Sequence, residues 1–250
     1  MDSVLLAYSG GSDSTFLLKV AKDTLADKVL AVTANSPTYT QEELRFAKQM
    51  AQALGVRHTV IKTHELKNKN FLKNSAQRCY FCKRELFSRL KKIAAGNKIK
   101  FVIDASNFSD RKDFRPGKQA RLEFRVRSPL EEAGITKEEI RRMSKELGLS
   151  TWNKPSLACL ASRLPYGTKI TQQILKQIDQ AENMIRALGI PQVRLRHYDG
   201  LARIEVAKAD IPRLIKMRSL IVDRLKKLSY NYVTLDLEGY RTGSLNLGVK

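Results

Sequence analysis

Residues 9–14, Ser-Gly-Gly-Ser-Asp-Ser, place hydroxyl side chains and two glycines directly after an apolar segment. Gly10 and Gly11 can adopt a positive φ and let the backbone approach a ligand, so that successive N–H groups and a following helix N-terminus converge on an anion. No lysine follows Gly11 as it would in a Walker loop, and the three-glycine spacing of dinucleotide-binding loops is absent. The segment therefore predicts a phosphate-binding loop that serves some other nucleotide chemistry.

Three cysteines are the second set of residues that could do chemistry. Cys79 and Cys82 form a C-x₂-C pair, and Cys159 stands far from them in the sequence. An odd number of cysteines in a chain with no export signal favours metal or redox chemistry over a disulfide framework. Because Met1-Asp2-Ser3 leads directly into the first apolar segment, we expect no signal peptide and a cytoplasmic protein.

Four apolar segments alternate with helical patterns, at residues 4–8, 29–33, 58–61 and 101–104. This alternation predicts an α/β fold with a doubly wound parallel sheet. Ligands of such sheets bind at the carboxyl ends of the strands, so we expect the loops that follow the strands to line one crevice. The polar residues predicted there are Ser9, Ser12, Asp13, Ser14, Ser36, Ser106, Asn107 and Asp110, with Gly10 and Gly11.

The chain of 250 residues, 42% of them apolar, is long enough for two modest domains. Prolines and glycines mark residues 151–168 as a connecting loop between a phosphate-binding domain at 1–150 and a smaller α+β domain at 169–250. In the latter, an apolar helix face at 171–188 precedes two strands that meet at Asp199-Gly200, a hairpin signal. No window resembles a membrane span, so no membrane partner is expected.

Forty-six Lys and Arg residues against 25 Asp and Glu give a formal net charge of +21. Such a charge favours polyanionic partners, which include nucleotides, phosphorylated metabolites and RNA. Charge alone does not choose among these classes, because much of the excess lies in helical stretches where solvated charged faces are expected.

The loop at 9–14 resembles the pyrophosphatase loop (PP-loop) of enzymes that cleave ATP between the α- and β-phosphates, and Ser106-Asn107 with Asp110 resembles a later nucleotide motif of that superfamily. Within it, nearly the whole chain resembles LarE, the ATP-dependent sulfur transferases of nickel-pincer nucleotide biosynthesis. The stretches that carry this resemblance are 78–83 (RCYFCK), 115–120 (RPGKQA), 154–163 (KPSLACLASR), 194–196 (RLR) and 202–205 (ARIE).

The resemblance implies a two-step reaction on a pyridinium mononucleotide that carries carboxylates. ATP adenylates a carboxylate and releases pyrophosphate, and sulfide then displaces AMP to leave a thiocarboxylate. The loop would hold the pyrophosphate, and Asp13 would help to place Mg²⁺. An acid that merely complements the helix dipole is the alternative for Asp13. A sulfide donor is needed, and relatives assemble as homo-oligomers through the C-terminal domain.

For the cysteines, the resemblance implies a catalytic branch in which Cys79, Cys82 and Cys159 bind three irons of a [4Fe–4S] cluster and the fourth iron carries sulfide. In another branch only the cysteine matching Cys159 is present, and it gives up its own sulfur. The alternatives are a zinc site, which lacks a histidine at suitable spacing, a redox dithiol with a separate nucleophile, and inert buried thiols.

The resemblance also implies a set of substrate ligands: Tyr80, Ser162, Arg163, Arg194, Arg196 and Arg241. Arginine suits bidentate binding of phosphate and carboxylate, and Arg194 and Arg196 point to one face of a strand. An exposed charged face is the alternative for the arginines, and plain packing is the alternative for Tyr80, which would otherwise stack on the pyridinium ring. Glu182 and Glu205 match acids that bind a metal near the substrate, and Glu182 could equally be a surface residue.

A PP-loop enzyme that thiolates tRNA is the competing hypothesis, since some members combine adenylation with a three-cysteine cluster. It would explain the net charge directly. Against it, the chain shows no accessory RNA-binding module and no zinc-ribbon cysteines. Two further hypotheses are an amide-forming relative that uses ammonia and a nucleotide-binding protein without catalysis. The three cysteines argue against the first, and Asp13 together with the cysteines argues against the second.

Overall fold

The computed structural model describes residues 1–112, 116–155 and 158–241. The chain divides into two compact units. The first consists of Met1–Phe71 and Gln77–Leu157, and the second of Leu72–Ala76 and Ala158–Lys250. Arg115, Ser156 and Leu157, which belong to the motifs quoted above, lie outside the described residues.

The first unit is built on a four-stranded parallel sheet with the strand order β3-β2-β1-β4. The strands are β1 (Val4–Ala7), β2 (Val29–Asn35), β3 (Arg57–Lys62) and β4 (Phe101–Ile103). Val4 in β1 is in register with Val29 on one side and with Phe101 on the other. The predicted parallel sheet is confirmed, and the loops after β1, β2 and β4 leave the same edge of it.

Helices cover both faces of this sheet: α1 (Ser12–Leu25), α2 (Gln41–Ala53), α3 (Lys69–Leu72), α4 (Arg78–Gly96), α5 (Gly117–Glu123), α6 (Pro129–Glu132) and α7 (Lys137–Glu146). Leu6 packs in one core with Phe16 of α1 and Ile140 of α7, whereas the adjacent Leu5 packs in the opposite core with Phe87 of α4. Successive side chains of a strand alternate between faces, so the wholly apolar β1 fills both cores.

Two helices begin at capping boxes, which the sequence shows as a threonine followed three residues later by a glutamate. Thr40 accepts from the backbone N–H of Glu43 at the start of α2, and the Glu43 side chain accepts from the backbone N–H of Thr40. Thr136 and Glu139 make the same reciprocal pair at the start of α7. These bonds satisfy backbone donors that the first helical turn leaves without partners, and they fix where the chain enters each helix.

The second unit contains α8 (Gln172–Ala187), β5 (Val193–Tyr198), β6 (Leu201–Val206), α9 (Ile211–Lys216), α10 (Arg218–Lys227) and β7 (Tyr232–Leu235). The hairpin turn at Asp199-Gly200 is confirmed, with a positive φ at both residues, and it joins antiparallel β5 and β6. After the two short helices, β7 returns parallel to β6. Leu175, Ile178 and Ile185 of α8 are buried.

Two local features of the second unit differ from the sequence pattern. The charged helical stretch at 211–227 forms two helices, α9 and α10, because Met217 between them has φ −96° and ψ 11° and leaves the helical backbone conformation. The short segment Leu72–Ala76 belongs to this unit because Asn74 hydrogen bonds to the backbone carbonyl of Pro165 (2.7 Å) and Ile170 N–H donates to Leu72 (2.9 Å). Within the described ranges, no helix is long and apolar enough to cross a membrane.

Candidate functional site

The loop between β1 and α1 contains two glycines, and one of them, Gly10, has a left-handed backbone conformation that favours glycine. Gly10 has φ +73°, and a Cβ built there would lie 2.9 Å from Cβ of Ala47 and 3.0 Å from its Cα. Gly11 has an extended backbone instead, with φ −77° and ψ 170°. The left-handed conformation expected of both glycines is therefore used by Gly10 alone.

Serine hydroxyls hold the loop in shape. Ser9 Oγ accepts from the backbone N–H of Gly11 (3.3 Å) and lies 3.1 Å from Oγ of Ser14, which donates to the carbonyl of Gly11 (3.2 Å). No side chain caps the start of α1 at Gly11. Backbone N–H groups in this first helical turn are thus available to an anion, as the sequence predicts for a phosphate-binding loop.

A crevice of about 350 Å³ lies at this edge of the sheet, within the first unit. Residues from all three predicted loops line it. Ser9, Gly11, Ser12, Asp13 and Ser14 come from the loop after β1 and the first turn of α1, Ala34 from the end of β2 and Tyr39 from the loop after it, and Asp104, Ala105, Ser106 and Asp110 from the segment after β4. Its lining also includes three side chains that the sequence analysis did not select, Lys83, Phe87 and Lys137.

Asp13 is the residue on which the predicted nucleotide ligands converge. Nδ2 of Asn107 donates to Oδ2 of Asp13 at 3.1 Å, and Nζ of Lys137 contacts Oδ1. Ser12 Oγ lies 3.3 Å from the same Oδ1 atom. Asp110 supports this arrangement because its Oδ2 accepts from the backbone N–H of Asn107 (3.1 Å).

Asp104 hydrogen bonds both to the loop after β4 and to α4, the helix that contains Cys79 and Cys82. It is 3% exposed, and it accepts from the backbone N–H and hydroxyl of Ser106 and from Nζ of Lys83 (3.3 Å). Burial acts to raise the pKa of Asp104, but the charge of Lys83 and hydrogen bonds from Ser128 and Ser106 outweigh it and hold that pKa below its ordinary value. Asp104 therefore stays a buried anion that orients Lys83.

Ser36 lies apart from the other predicted nucleotide ligands. Its hydroxyl is buried, 2.7 Å from Oγ1 of Thr38 and in contact with Oε1 of Glu65. Among the described residues that line the crevice, Tyr39 represents the loop after β2 and Ser36 does not appear. The position of Ser36 favours a structural role in shaping the loop after β2.

Cys79 and Cys82 lie in the first turn of α4, where residues three apart share a helix face. Cys79 is exposed, Cys82 is half-buried, and neither forms a disulfide. Between them, the hydroxyl of Tyr80 donates to Glu123 (2.9 Å), and the ring of Tyr80 packs edge-on against Phe81. The exposure of Cys79 is inconsistent with an inert buried thiol.

Cys159 belongs to the second unit, immediately before a 3₁₀ turn at Leu160–Arg163. Its carbonyl accepts from the backbone N–H of Ser162 (2.9 Å), from the Ser162 hydroxyl (2.7 Å) and from Nη1 of Arg163 (3.1 Å). It too forms no disulfide. In the part of the chain that the structure describes, no group of three or more His, Cys, Asp or Glu side chains is arranged to hold a metal ion.

Arg163 and Glu182 form a buried bidentate ion pair in the second unit. Nε of Arg163 lies 2.8 Å from Oε1 of Glu182, and Nη2 lies 3.0 Å from Oε2. Oε1 also accepts from the backbone N–H of Leu195. Burial acts to raise the pKa of Glu182, but the charge and hydrogen bonds of Arg163 hold it below its ordinary value. Glu182 is fully buried, so the surface alternative for it is wrong.

A second buried carboxylate, Glu205 in β6, accepts from two arginines. Arg196 Nη2 lies 2.7 Å from its Oε2, and Arg203 Nη2 lies 3.0 Å from its Oε1. Arg194 and Arg196 are each 5% exposed, so the exposed-face alternative is wrong for both. The Arg194 guanidinium lies over the Tyr240 ring, and Arg241, which is more exposed, pairs with Glu238 at 2.7 Å.

Comparison with known proteins gives one match to the first part of the chain and others to nearly its whole length. The family model of the queuosine biosynthesis protein QueC matches residues 3–79, which contain the loop and the first three strands. An uncharacterized protein of Synechocystis sp. is 45% identical to the chain over 248 residues, 98% of this chain and 92% of that protein. The pyridinium-3,5-bisthiocarboxylic acid mononucleotide synthase of Lactiplantibacillus plantarum is 39% identical over 247 residues, 98% of this chain and 90% of that enzyme.

The chain belongs to the LarE family of PP-loop enzymes. An uncharacterized protein of Methanocaldococcus jannaschii, 30% identical over 96% of the chain, also matches. In this LarE-family protein, the predicted nucleotide ligands Asp13, Asn107 and Asp110 lie together. The predicted substrate ligands Arg163, Arg194 and Arg196 are buried and contact carboxylates and backbone carbonyls.

Sequence reasoning missed three charged residues of the first unit: Lys83, Asp104 and Lys137. Asp104 had a usable signal, because an acid that ends an apolar strand of a parallel sheet stands at the ligand edge. Lys83 follows Cys82 directly and points into the crevice of this LarE-family protein. Lys137 had no local signal, since it reaches the loop only through the packing of α7 beside α1.

Proposed function

We propose that this protein is an ATP-dependent sulfur transferase that converts a carboxylate of a pyridinium dicarboxylate mononucleotide to a thiocarboxylate in nickel-pincer nucleotide biosynthesis. The observation that carries the proposal is the near full-length match, at 39% identity, to an enzyme named as a pyridinium bisthiocarboxylic acid mononucleotide synthase. The crevice beside the PP-loop supplies the site at which such an enzyme would bind ATP.

The chemistry begins with a carboxylate that has no good leaving group. Adenylation replaces oxide by AMP as the group to be displaced, and pyrophosphate is released. N–H groups at the start of α1 would bind phosphate oxygens, and Asp13 with Asn107 would fix the nucleotide end of the crevice. The oxygen atoms of Asp13 suit Mg²⁺, which when bound would neutralise charge on the phosphates.

The residues proposed to bind the substrate are the predicted ligands Tyr80, Ser162, Arg163, Arg194, Arg196 and Arg241, of which all but Tyr80 belong to the second unit. Of these, Arg163 and Arg196 are already held by Glu182 and Glu205. We propose that the two glutamates orient the guanidinium groups, whose planar shape and positive charge suit phosphate or carboxylate. The predicted metal role of Glu182 and Glu205 would require these ion pairs to rearrange.

The three cysteines are proposed as ligands of a [4Fe–4S] cluster. The placement of Cys79 and Cys82 three residues apart on α4 fits such ligands, because residues at this spacing share a helix face. When bound, a cluster with three protein ligands supplies an iron that can carry exogenous sulfide. Cys159 would provide the third thiolate. We further propose that a separate donor supplies the sulfide, that the protein is cytoplasmic and that it assembles as a homo-oligomer.

Thiolation of tRNA is the second candidate, favoured by the net charge of +21. The two candidates differ in what stimulates ATP cleavage. Purified protein is incubated with ATP, Mg²⁺ and sulfide, together with either carboxylated pyridinium mononucleotide or bulk tRNA. The proposal predicts AMP release and a thiocarboxylate product with the mononucleotide alone. Stimulation and sulfur incorporation with tRNA alone would establish the second candidate.

A further inference from the structure

Lys137 brings a positive charge to a loop whose own sequence has none. It is the first residue of α7, and its Nζ lies 2.6 Å from Oγ of Ser12 and in contact with Oδ1 of Asp13. Lys137 also lines the crevice. The loop thus receives an ammonium group from a residue more than one hundred positions later in the sequence.

Hydrogen bonds at the start of α7 and packing of that helix against α1 fix the backbone position of Lys137. The capping box of Thr136 and Glu139 sets the start of α7, and the backbone N–H of Lys137 donates to Oγ of Ser109 (3.1 Å). Ile140, one turn further along, is fully buried in the core that also contains Leu17 of α1. Packing between α1 and α7 therefore delivers the ammonium group to the loop, while its four-carbon stem leaves Nζ free to move by several ångströms.

The charges around the crevice indicate which ligand would draw Nζ away from Asp13. Lys83 is held by the buried anion Asp104, whereas Lys137 contacts a carboxylate that is 24% exposed. A pyrophosphate group carries more negative charge than one carboxylate, so it competes strongly for an ammonium group within reach. A cation that came to Asp13 with the nucleotide would also repel Lys137 from that side chain.

From this geometry we propose that Lys137 is a pyrophosphate-binding residue of the ATP site. The inference rests on the proposed function and adds a residue to it. In the adenylation step a substrate carboxylate oxygen forms a bond to the α-phosphorus, and the bond from that phosphorus to the bridging oxygen of the β-phosphate breaks. The electron pair of the broken bond leaves with pyrophosphate. Lys137 keeps its proton throughout and balances the charge that accumulates on the leaving group.

The experiment measures binding of inorganic pyrophosphate and of AMP by calorimetry, without Mg²⁺, to the wild type, Lys137→Met and Lys137→Arg. The control is Lys19→Met, because Lys19 lies on the outer surface of α1 and pairs only with Asp23 among the contacts described for it. Lys137→Met is expected to raise the Kd for pyrophosphate tenfold or more and to leave the Kd for AMP within twofold. Lys137→Arg should restore at least part of the pyrophosphate affinity.

A pyrophosphate Kd for Lys137→Met within twofold of the wild type would overturn the inference. Should Lys137→Met fail to fold, Lys137→Gln takes its place as a polar variant without the positive charge, and a pyrophosphate Kd for Lys137→Gln within twofold of the wild type would overturn the inference as well. Failure of the proposed function is seen separately, as absence of AMP and pyrophosphate formation by the wild-type enzyme.

Discussion

Asn107 and Asp13 meet across the sheet edge, where Nδ2 of Asn107 donates to Oδ2 of Asp13 at 3.1 Å. The two residues follow β4 and β1, which are neighbouring strands. Asn107 is 1% exposed, and Asp110 accepts from its backbone N–H. This hydrogen bond therefore joins two of the three loops of the crevice and holds the Asp13 carboxylate in one orientation.

Removing this hydrogen bond should impair ATP cleavage more than stability. For Asn107→Ala we expect a fall in kcat/KM for AMP formation of about ten- to a hundredfold, because the Asp13 carboxylate loses its fixed orientation. Pyrophosphate release measures the effect. Asn97→Ala, at the exposed end of α4, is the control. Activity of Asn107→Ala within twofold of the control would contradict the role given to this bond.

The two loop glycines should respond differently to alanine. Gly10→Ala places a Cβ 2.9 Å from Ala47 on a backbone with φ +73°, so we expect a loss of about 2 to 4 kcal/mol in the free energy of unfolding. Gly11→Ala meets only Oγ of Ser9, at 3.4 Å, and should lose less than about 1 kcal/mol. Urea denaturation of both variants checks this. Equal losses would contradict the structural distinction between them.

Glu182 should be important for the stability of the second unit. Glu182→Gln leaves the buried Arg163 guanidinium without its counter-ion, and we expect a loss of about 3 to 5 kcal/mol in the free energy of unfolding. Because the pKa of Glu182 is lowered on folding, its contribution is complete above the unfolded-state pKa and is lost as pH falls through the folded-state pKa.

The difference between wild type and Glu182→Gln should therefore shrink below about pH 4. Glu138→Gln, on the exposed face of α7, serves as the control and should change the free energy of unfolding by less than about 0.5 kcal/mol. A loss for Glu182→Gln as small as that of the control would show that the ion pair does not form.

Lys154 should make stability depend on pH in the alkaline range. Its Nζ donates to the carbonyl of Gly10 at 3.0 Å and lies over the Phe46 ring. Burial lowers the pKa of Lys154 to about 8, and Glu43 and Glu42 only partly offset this. The unfolded chain then binds more protons than the folded one above pH 8, so folding gains stability as pH rises towards the ordinary lysine pKa.

For this reason we expect the free energy of unfolding of the wild type, relative to Lys154→Met, to rise by about 1 kcal/mol between roughly pH 8 and 10. Thermal unfolding in buffers across this range measures the difference. A relative stability that stays flat with rising pH would mean that folding does not lower the pKa of Lys154, and one that falls would mean that folding raises it.

The cysteines give a prediction about iron. After anaerobic reconstitution, the wild-type protein should be brown and carry about four irons per chain. Cys79→Ser, Cys82→Ser and Cys159→Ser should each lose most of this iron yet keep AMP formation, because adenylation precedes sulfur transfer. Ser75→Ala, four positions before Cys79 in the sequence, is the control. Colourless wild-type protein would exclude the cluster, and zinc in its place would support one of the alternatives.

Most of the fold was predictable because its signals are local. The capping boxes at Thr40 and Thr136, the apolar strand β1 and the hairpin at Asp199-Gly200 all depend on residues close together in sequence. The loop glycines were predictable only in part, since Gly11 is extended and the close approach of Ala47 to Gly10 arises from helix packing.

The candidate site was predictable where motif residues act through their own loop, as for Asp13 and Asn107. It was not predictable where distant charges meet. Lys137 reaches Asp13 through packing of two helices, and the burial of Arg194 and Arg196 depends on partners that include Glu205 and a backbone carbonyl. Charged residues are exposed by default, so only the folded chain reveals these pairs.

The most direct test of the proposed function is one reaction followed by mass spectrometry. Reconstituted protein receives ATP, Mg²⁺, sulfide and a pyridinium dicarboxylate mononucleotide. We predict AMP, pyrophosphate and a mononucleotide in which a carboxylate oxygen is replaced by sulfur, a gain of about 16 Da, with none of these from Asp13→Ala protein. Formation of ADP, or cleavage of ATP to AMP with no sulfur in the mononucleotide, would contradict the account.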